Sequence, residues 1–463
     1  MIRIETTTNC YAEKQYVFHL IFSEFLGMDH SIAVNDALAD KIILTTVNDA
    51  ILQFPDIFFA TAAKNWLSKE SLPPAIVQSF NIADSQVEFK LPFSDIPVLY
   101  GLPSIRQENR TNINCGIDIF GSVFFMLSRY EELVVPERDK SDRFPAKSSI
   151  AYKNNFLLRP IVDEYIELLW QMLKQLVPDF NRKKRQSKTV LTCDVDWPFN
   201  PDNQTFSRLA KTVVSKIVKT KDIKGAYNSF VEFINVKRNG WKADSFNTFN
   251  YLMTLAEQHG IQMVFYFICD HSAGAIDGNY HINDPLIEGL MKEIHHRGHS
   301  IGVHTSYNTY LDASQTKKEV DILKDTLRKL NISQNEVGVR QHFLRYRTSE
   351  TIAHLNAAGL DHDSTLSFAD HAGFRTGTCN AYPMYDLNHR TMLHIKERPL
   401  IAMEHSVISK ENMGLGYSDA AFTLMKDLKA KCYQYNGDFI VLWHNSFFKN
   451  AGDKKLLEAT LAF

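Results

Sequence analysis

Up to about residue 180 the apolar positions fall into short runs and helical stripes. "KIILTT", "QVEFKLPF" and "IPVLYG" read as strands. "GIDIFGSVFFMLSRYEELV" (116–134) carries apolar residues at helical spacing on one side and ends in "SRYEE". "LRPIVDEYIELLWQMLKQLV" (158–177) places Ile161, Tyr165, Leu168, Leu169, Met172 and Leu176 on one stripe, an amphipathic helix. Pro160 suits its first turn, where a missing N–H costs no hydrogen bond. The basic run "NRKKRQSK" at 181–188 reads as a linker, so the pattern predicts a smaller α+β domain over 1–180.

Beyond the linker, apolar strands alternate with helical segments. The strands are "TVLTCDVD" (189–196), "MVFYFI" (263–268), "HSIGVH" (299–304), "EVGVRQH" (336–342), "LDHDSTL" (360–366), "RPLIAM" (398–403) and "FIVLWHN" (439–445). Helices such as "FNTFNYLMTLAEQHG" and "SQTKKEVDILKDTLRKLN" fall between some of them. Near-continuous apolar strands separated by helices indicate a parallel sheet covered on both faces. About seven units predict a distorted (β/α) barrel over 187–463.

In such a fold the working groups stand at the carboxyl ends of the strands. There the sequence places Asp194 and Asp196, Asp270 and His271, His304, Arg340 and His342, Asp363, and His444. "TCDVDWP" is the sharpest local signal. Residues two apart on a strand share a face, so Asp194 and Asp196 point together while Cys193 and Val195 pack on the other side. Neighbouring carboxylates repel unless a cation lies between them or one holds a proton. Two turn-forming acids before Pro198 is the blander reading. A DxD phosphatase would use Asp194 as nucleophile, but Trp197 and Pro198 are unlike the residues that usually follow. A DxD glycosyltransferase would need a phosphate-binding unit ahead of it, and no glycine-rich loop is visible there.

Composition changes this picture little. Hydrophobic residues at 44% and charged residues at 22% are ordinary for a globular chain. A net charge of −2 argues against a general nucleic-acid or anionic-membrane surface, and the basic stretch at 211–225 reads as a solvated helix face. The six cysteines form no CxxC pair and fit reduced, buried thiols. No stretch has the apolar length of a membrane span and the N-terminus lacks a signal-peptide core, so a cytoplasmic protein is expected.

Taken together, the strand ends over about 187–450 resemble the polysaccharide deacetylase (NodB-like carbohydrate esterase) family. "TCDVD" resembles its first motif, which makes Asp194 the general base and Asp196 a metal ligand. "GHSIGVHTSYN" resembles the second, which supplies metal-binding histidines, and "VRQHFLR" the third, whose arginine, here Arg340, orients the catalytic Asp. "DHDSTLSFADHAGFRTGT" occupies the place of the fourth. "IVLWHN" resembles the fifth, with His444 as general acid and Leu442 lining the acyl pocket. The resemblance implies a hydrolase that removes an acyl group from an amino sugar with a divalent metal, Zn²⁺ in the family. Residues 1–180 resemble an uncharacterised domain that often precedes such deacetylases, and no role follows from that. A carbohydrate-binding protein without turnover is the chief alternative, and the phosphatase is third.

The second motif departs from the family. Four residues after His304 stands Asn308 where a second histidine is usual. His299 precedes His304 by an odd number of residues and so faces the other side of a strand, which fits a buried structural residue. The expected ligands are therefore Asp196, His304 and Asn308; replacement by His342 or His371, or a site that binds no metal, are the alternatives. A neutral Asn oxygen would shift preference towards Mg²⁺, Mn²⁺ or Ca²⁺. Trp197, Tyr307, His342, Asp363 and Trp443 are expected to contact a carbohydrate substrate, the aromatic ones by stacking. No nucleic-acid partner is expected, and the oligomeric state is open.

Overall fold

A computed structural model describes residues 1–448 and 450–462. The N-terminal part is built on six strands. Ile2–Thr6 lies second from one edge, parallel to His30–Val34 and antiparallel to Lys41–Thr45. Ile51–Pro55, Asn112–Ile117 and Gly101–Asn109 extend the sheet on the far side. The expected strand at 86–93 is absent, and only its neighbours Gln78–Asn81 and Asp95–Val98 pair, as a separate two-stranded ladder. The helix Ile119–Leu127 is buried on every side, not only on one stripe, because the second half of the protein covers its outer face. The amphipathic helix runs from Ile161 to Leu176 with Pro160 at its N-cap.

The C-terminal part is a nine-stranded sheet. Eight strands run parallel, in the order Thr391–Glu397, His362–Asp363, Gly338–Gln341, Ser300–Thr305, Met263–Ile268, Thr189–Val195, Phe439–Leu442 and Ala402–Met403. Tyr382–Asp386 adds an antiparallel edge beside Thr391–Glu397. The sheet curls strongly. Gly338–Gln341 and Thr189–Val195 are three strands apart, about 14 Å if flat, yet Arg340 donates to Thr192 Oγ1 across the interior at 3.2 Å. The parallel α/β sheet expected from the sequence is present, but among the described residues no ladder joins its two edges, so the distorted barrel is not seen to close. Thr391–Glu397 was not expected as a strand; much of it is exposed and alternates charged with apolar residues, unlike its buried neighbours.

One continuous apolar core runs through both parts. Across the junction Arg390 clamps Glu13 at 2.8 and 2.9 Å, and Tyr16 donates to the Pro383 carbonyl at 2.8 Å. "SRYEE" explains itself here: Arg129 and Arg375 converge on buried Glu132 at 2.7–2.9 Å. Among the described residues no helix is long and apolar enough to cross a membrane.

Candidate metal centre and its cavity

Strand Thr189–Val195 is buried on both faces, so its alternation sorts chemistry from packing. Cys193 and Val195 join the apolar core, while Asp194 opens with Asp196 on a cavity of about 500 Å³ at the carboxyl ends of the strands. His304, at the end of Ser300–Thr305, and His342, just past Gly338–Gln341, line the same cavity. The ligand-bearing atoms of Asp196, His304 and His342 lie within 4.8 Å of one another, a set that could hold a metal ion.

Each imidazole is already oriented. His304 Nδ1 sits 2.8 Å from the Arg340 carbonyl oxygen, and His342 Nδ1 2.9 Å from Asp277 Oδ1. Acceptors at both Nδ1 atoms place the ring protons there and leave the Nε2 lone pairs facing Asp196, at 3.1 Å from His304 and 3.7 Å from His342. This is how metal-binding histidines are usually fixed. Although His304 Nε2 is 3.1 Å from Asp196 Oδ1, that oxygen has no aligned hydrogen-bond donor, and neither has buried Asp194 Oδ1. Two orphaned carboxylate oxygens and two inward lone pairs fit a cation. The electrostatics favour positive charge at this place, whether a cation or a proton on Nε2. Burial opposes charge on His304, but Asp194 and Asp196 outweigh it and push its pKa up. Burial likewise raises the Asp196 carboxyl, and His342, His304 and His444 hold it well below the usual carboxylate range.

Opposite the histidine pair stands His444. Its Nε2 is 3.7 Å from Asp196 Oδ2, and its Nδ1 meets Glu404 Oε1 at 2.5 Å. The register pairs Met403 with Leu442, so Glu404 and His444 leave adjacent strands almost together. Burial resists protonation of His444, but Glu404, Asp196 and Asp194 push it up to about 10.

Asn308 does not line the cavity. It is exposed, and its side-chain amide donates to the Ser272 carbonyl at 3.0 Å. The chain turns after Thr305 into a short 3-10 helix that carries Asn308 sideways, so the helical neighbour relation assumed for residues 304 and 308 does not form. Beside Asp196 and His304 the third possible ligand is His342, the alternative to Asn308 and also an expected substrate contact. His371 pairs with Asp370 instead, 3.3 Å away. His299 lies at the opposite end of its strand, buried, accepting from Met263 N at 3.2 Å.

Arg340 makes no hydrogen bond to Asp194; it donates to Thr192 and Ser364, both at 3.2 Å, over the Tyr266 ring. Gly302 makes room for that ring, since a Cβ there would stand 2.5 Å from it. Asp363 is fully buried beside Glu397, its partner in the ladder, and is absent from the cavity. Trp443 is also fully buried, stacked on Phe448, because it points away from the face that carries Leu442. Leu442 itself lines the cavity. Half-buried Trp197 and Tyr307 stand outside the lining; the Arg345 guanidinium covers the Tyr307 ring at 3.9 Å.

Two phenylalanines do line the cavity, Phe447 and Phe343, the latter 46% exposed with φ +61°. A bulky residue in that conformation is strained, and strain of this kind collects where a side chain must be aimed. Leu344, Met403 and Phe447 continue the apolar wall. The N-terminal part adds Lys140, Ser141 and Arg143 to the lining. That loop is pinned: Arg143 donates to the Phe343 carbonyl at 2.8 Å, Arg345 to that of Ser141 at 2.9 Å, and Tyr310 to Asp142 at 2.6 Å.

The sequence reading missed Asp277 and Glu404. Glu404 directly follows "RPLIAM", so the strand-end rule that found the other residues could have found it. Asp277 comes from a loop with no periodic signal.

A family model described as a family of unknown function (DUF7033) matches residues 2–178. No curated protein matches. Among solved structures, "Crystal structure of putative polysaccharide deacetylase from Mycobacterium smegmatis" aligns at 15% identity, covering 61% of this chain and 85% of that one, with a TM-score of 0.37.

Proposed function

We propose that this chain is a metal-dependent hydrolase that removes an acyl group from an amino sugar in a glycan or glycan precursor. The observation that carries the reading is the convergence of Asp196, His304 and His342 beside Asp194, with the His444–Glu404 pair across the cavity. Two imidazoles and one carboxylate are a donor set suited to Zn²⁺. The case for Mg²⁺, Mn²⁺ or Ca²⁺ rested on Asn308, which is engaged elsewhere. When bound, such an ion polarises a carbonyl and acidifies water.

The chain's own groups divide the proton work. Asp194, with one oxygen free of hydrogen bonds, accepts the proton of the attacking water. His444, its Nδ1 held by Glu404, presents Nε2–H to the leaving nitrogen, which is a poor leaving group until protonated. Glu404 stabilises the charged imidazole. Arg340 positions the strand that carries Asp194 through Thr192. Phe343 and the apolar wall give one face of a sugar ring a surface to stack on.

The test is metal analysis of the purified chain together with acetate release from N-acetylhexosamine oligomers. Metal-loaded wild type should release acetate, and Asp194→Asn should lose at least 10³-fold in kcat while still binding metal and sugar. A metal-loaded protein that binds the sugar without releasing any acyl group would be a binding protein, and the proposal would be wrong.

A further inference from the structure

Between Asp196 and the helix Phe249–Gln258 the chain inserts a two-helix arm, Phe206–Val218 and Ile223–Asn239. It leaves the sheet at the carboxyl end of Thr189–Val195, the end that bears the cavity. Its base is tied there: Asn203 donates to Asp244 and Glu232, both at 2.8 Å, and Asn445, next to His444, donates to the Trp197 and Phe246 carbonyls. Beyond that base the two helices pack chiefly on each other, burying Leu209 on the first and Ala226, Ser229 and Phe233 on the second.

The outward surface is unusual. Phe206, Val214, Ile217, Val218, Ile223, Tyr227, Phe230 and Val231 are 45–73% exposed, about a third of the large exposed apolar side chains of the protein. At about 100° per residue, those on each helix fall within an arc of roughly 120°. Each arc is turned by about 120° from the buried face, in the same rotational sense. Antiparallel helices wind oppositely for one observer, so equal turns in one sense bring both arcs to the same side of the arm. The result is a single apolar face two helices wide.

Cations border it. Residues 206–239 hold eight basic side chains against two acidic ones, in a chain whose net charge is −2. Among the described residues, the side chains of Lys211, Lys219, Lys221, Lys224 and Arg238 engage in no hydrogen bond or ion pair. The other basic run is used internally, with Arg182 on Glu167 and Arg185 on Asn380 at 2.7 Å. The arm's charge therefore has no counterpart within the fold.

We infer that this arm docks on the surface of an anionic phospholipid bilayer, its apolar face entering the headgroup boundary and its free cations meeting lipid phosphates. An apolar stripe flanked by unpaired Lys and Arg is what such a surface recognises. The charge excess of the arm explains why overall charge hid it. The inference stands apart from the proposed activity, since neither the metal nor the acid–base groups enter it.

The experiment is co-sedimentation of the full chain with vesicles of 30% phosphatidylglycerol in phosphatidylcholine, against pure phosphatidylcholine. Wild type should bind the anionic vesicles, lose binding as salt rises, and slow the hydrogen exchange of 206–239 when bound. At about 1 kcal/mol per basic residue near the surface, Lys221→Ala with Lys224→Ala should weaken binding about 30-fold. Val218→Ser with Ile223→Ser should weaken it roughly tenfold or more; both pairs are exposed, so the unfolding midpoint should stay that of wild type. Failure of wild type to bind anionic vesicles overturns the inference. So does binding that neither pair changes, or an arm that instead drives concentration-dependent dimerisation abolished by Val218→Ser with Ile223→Ser.

Discussion

Asp277 offers the sharpest test of the centre, because it touches the proposed ion only through His342. Its carboxylate is fully buried and accepts three hydrogen bonds: His342 Nδ1 at 2.9 Å and Tyr307 N at 2.7 Å on Oδ1, and Ala273 N at 2.7 Å on Oδ2. Asp277→Asn changes one atom's chemistry and almost no volume. With the amide nitrogen at the Oδ2 place, it faces the Ala273 N–H, donor against donor. Turned over, it faces the Tyr307 N–H and can donate to His342 Nδ1, moving the ring proton to Nε2 and closing the lone pair meant for the metal. Groups in this role are worth about 10–100-fold in metal affinity, or about 1.4–2.7 kcal/mol. At a zinc concentration 100 times the wild-type Kd, linkage stabilises the fold by about 2.7 kcal/mol. A hundredfold weaker variant would keep about 0.4 kcal/mol at the same concentration. Competition with a chelating indicator gives the affinity, and calorimetry with and without zinc gives the linked stability. If Asp277→Asn binds zinc within about threefold of wild type and is stabilised equally, the role assigned to His342 is refuted.

Three further outcomes are expected. Glu404→Gln keeps an acceptor at His444 Nδ1 but removes the charge, and should cut kcat by about 10²–10⁴ with little change in KM, measured by steady-state acetate release. Glu132→Gln should cost about 3–5 kcal/mol at pH 7, because Arg129 and Arg375 lose a buried partner. Burial raises the Glu132 carboxyl, but Arg375 and Arg129 bring it down to about 2. A folded pKa below the ordinary one stabilises above the unfolded value, so the gap between wild type and variant should be full above about pH 4.5. It should shrink as pH falls towards 2, read by denaturant titration across pH. Asp142→Ala removes the acceptor of Tyr310 and Arg347, both 2.6 Å away, and loosens the loop that adds to the cavity lining. KM should rise severalfold with kcat nearly unchanged.

Periodicity was the reliable guide wherever burial was two-sided. The strands carrying Asp194, His304 and His444 were legible because apolar runs end abruptly in ionisable residues, and strand parity alone separated His299 from His304. The same rule failed for Thr391–Glu397, whose exposed side chains leave no apolar run. Trp443 shows the limit from the other side. Its neighbours reach the cavity, but one step along a strand reverses the face, and its ring joins the core.

What the sequence determined by itself was the set of groups available and the edge of the sheet on which they gather, because alternation and strand ends are local properties. Which of those groups meet was decided by tertiary structure. His342 reaches Asp196 because two short strands curl into one cavity wall, and Asn308 leaves it because a 3-10 turn takes the chain aside. Asp277, Glu404 and the loop at 140–143 enter from segments distant in sequence, and no local pattern encodes such a meeting. Those contacts follow from how the sheet curls and how the two halves share one core.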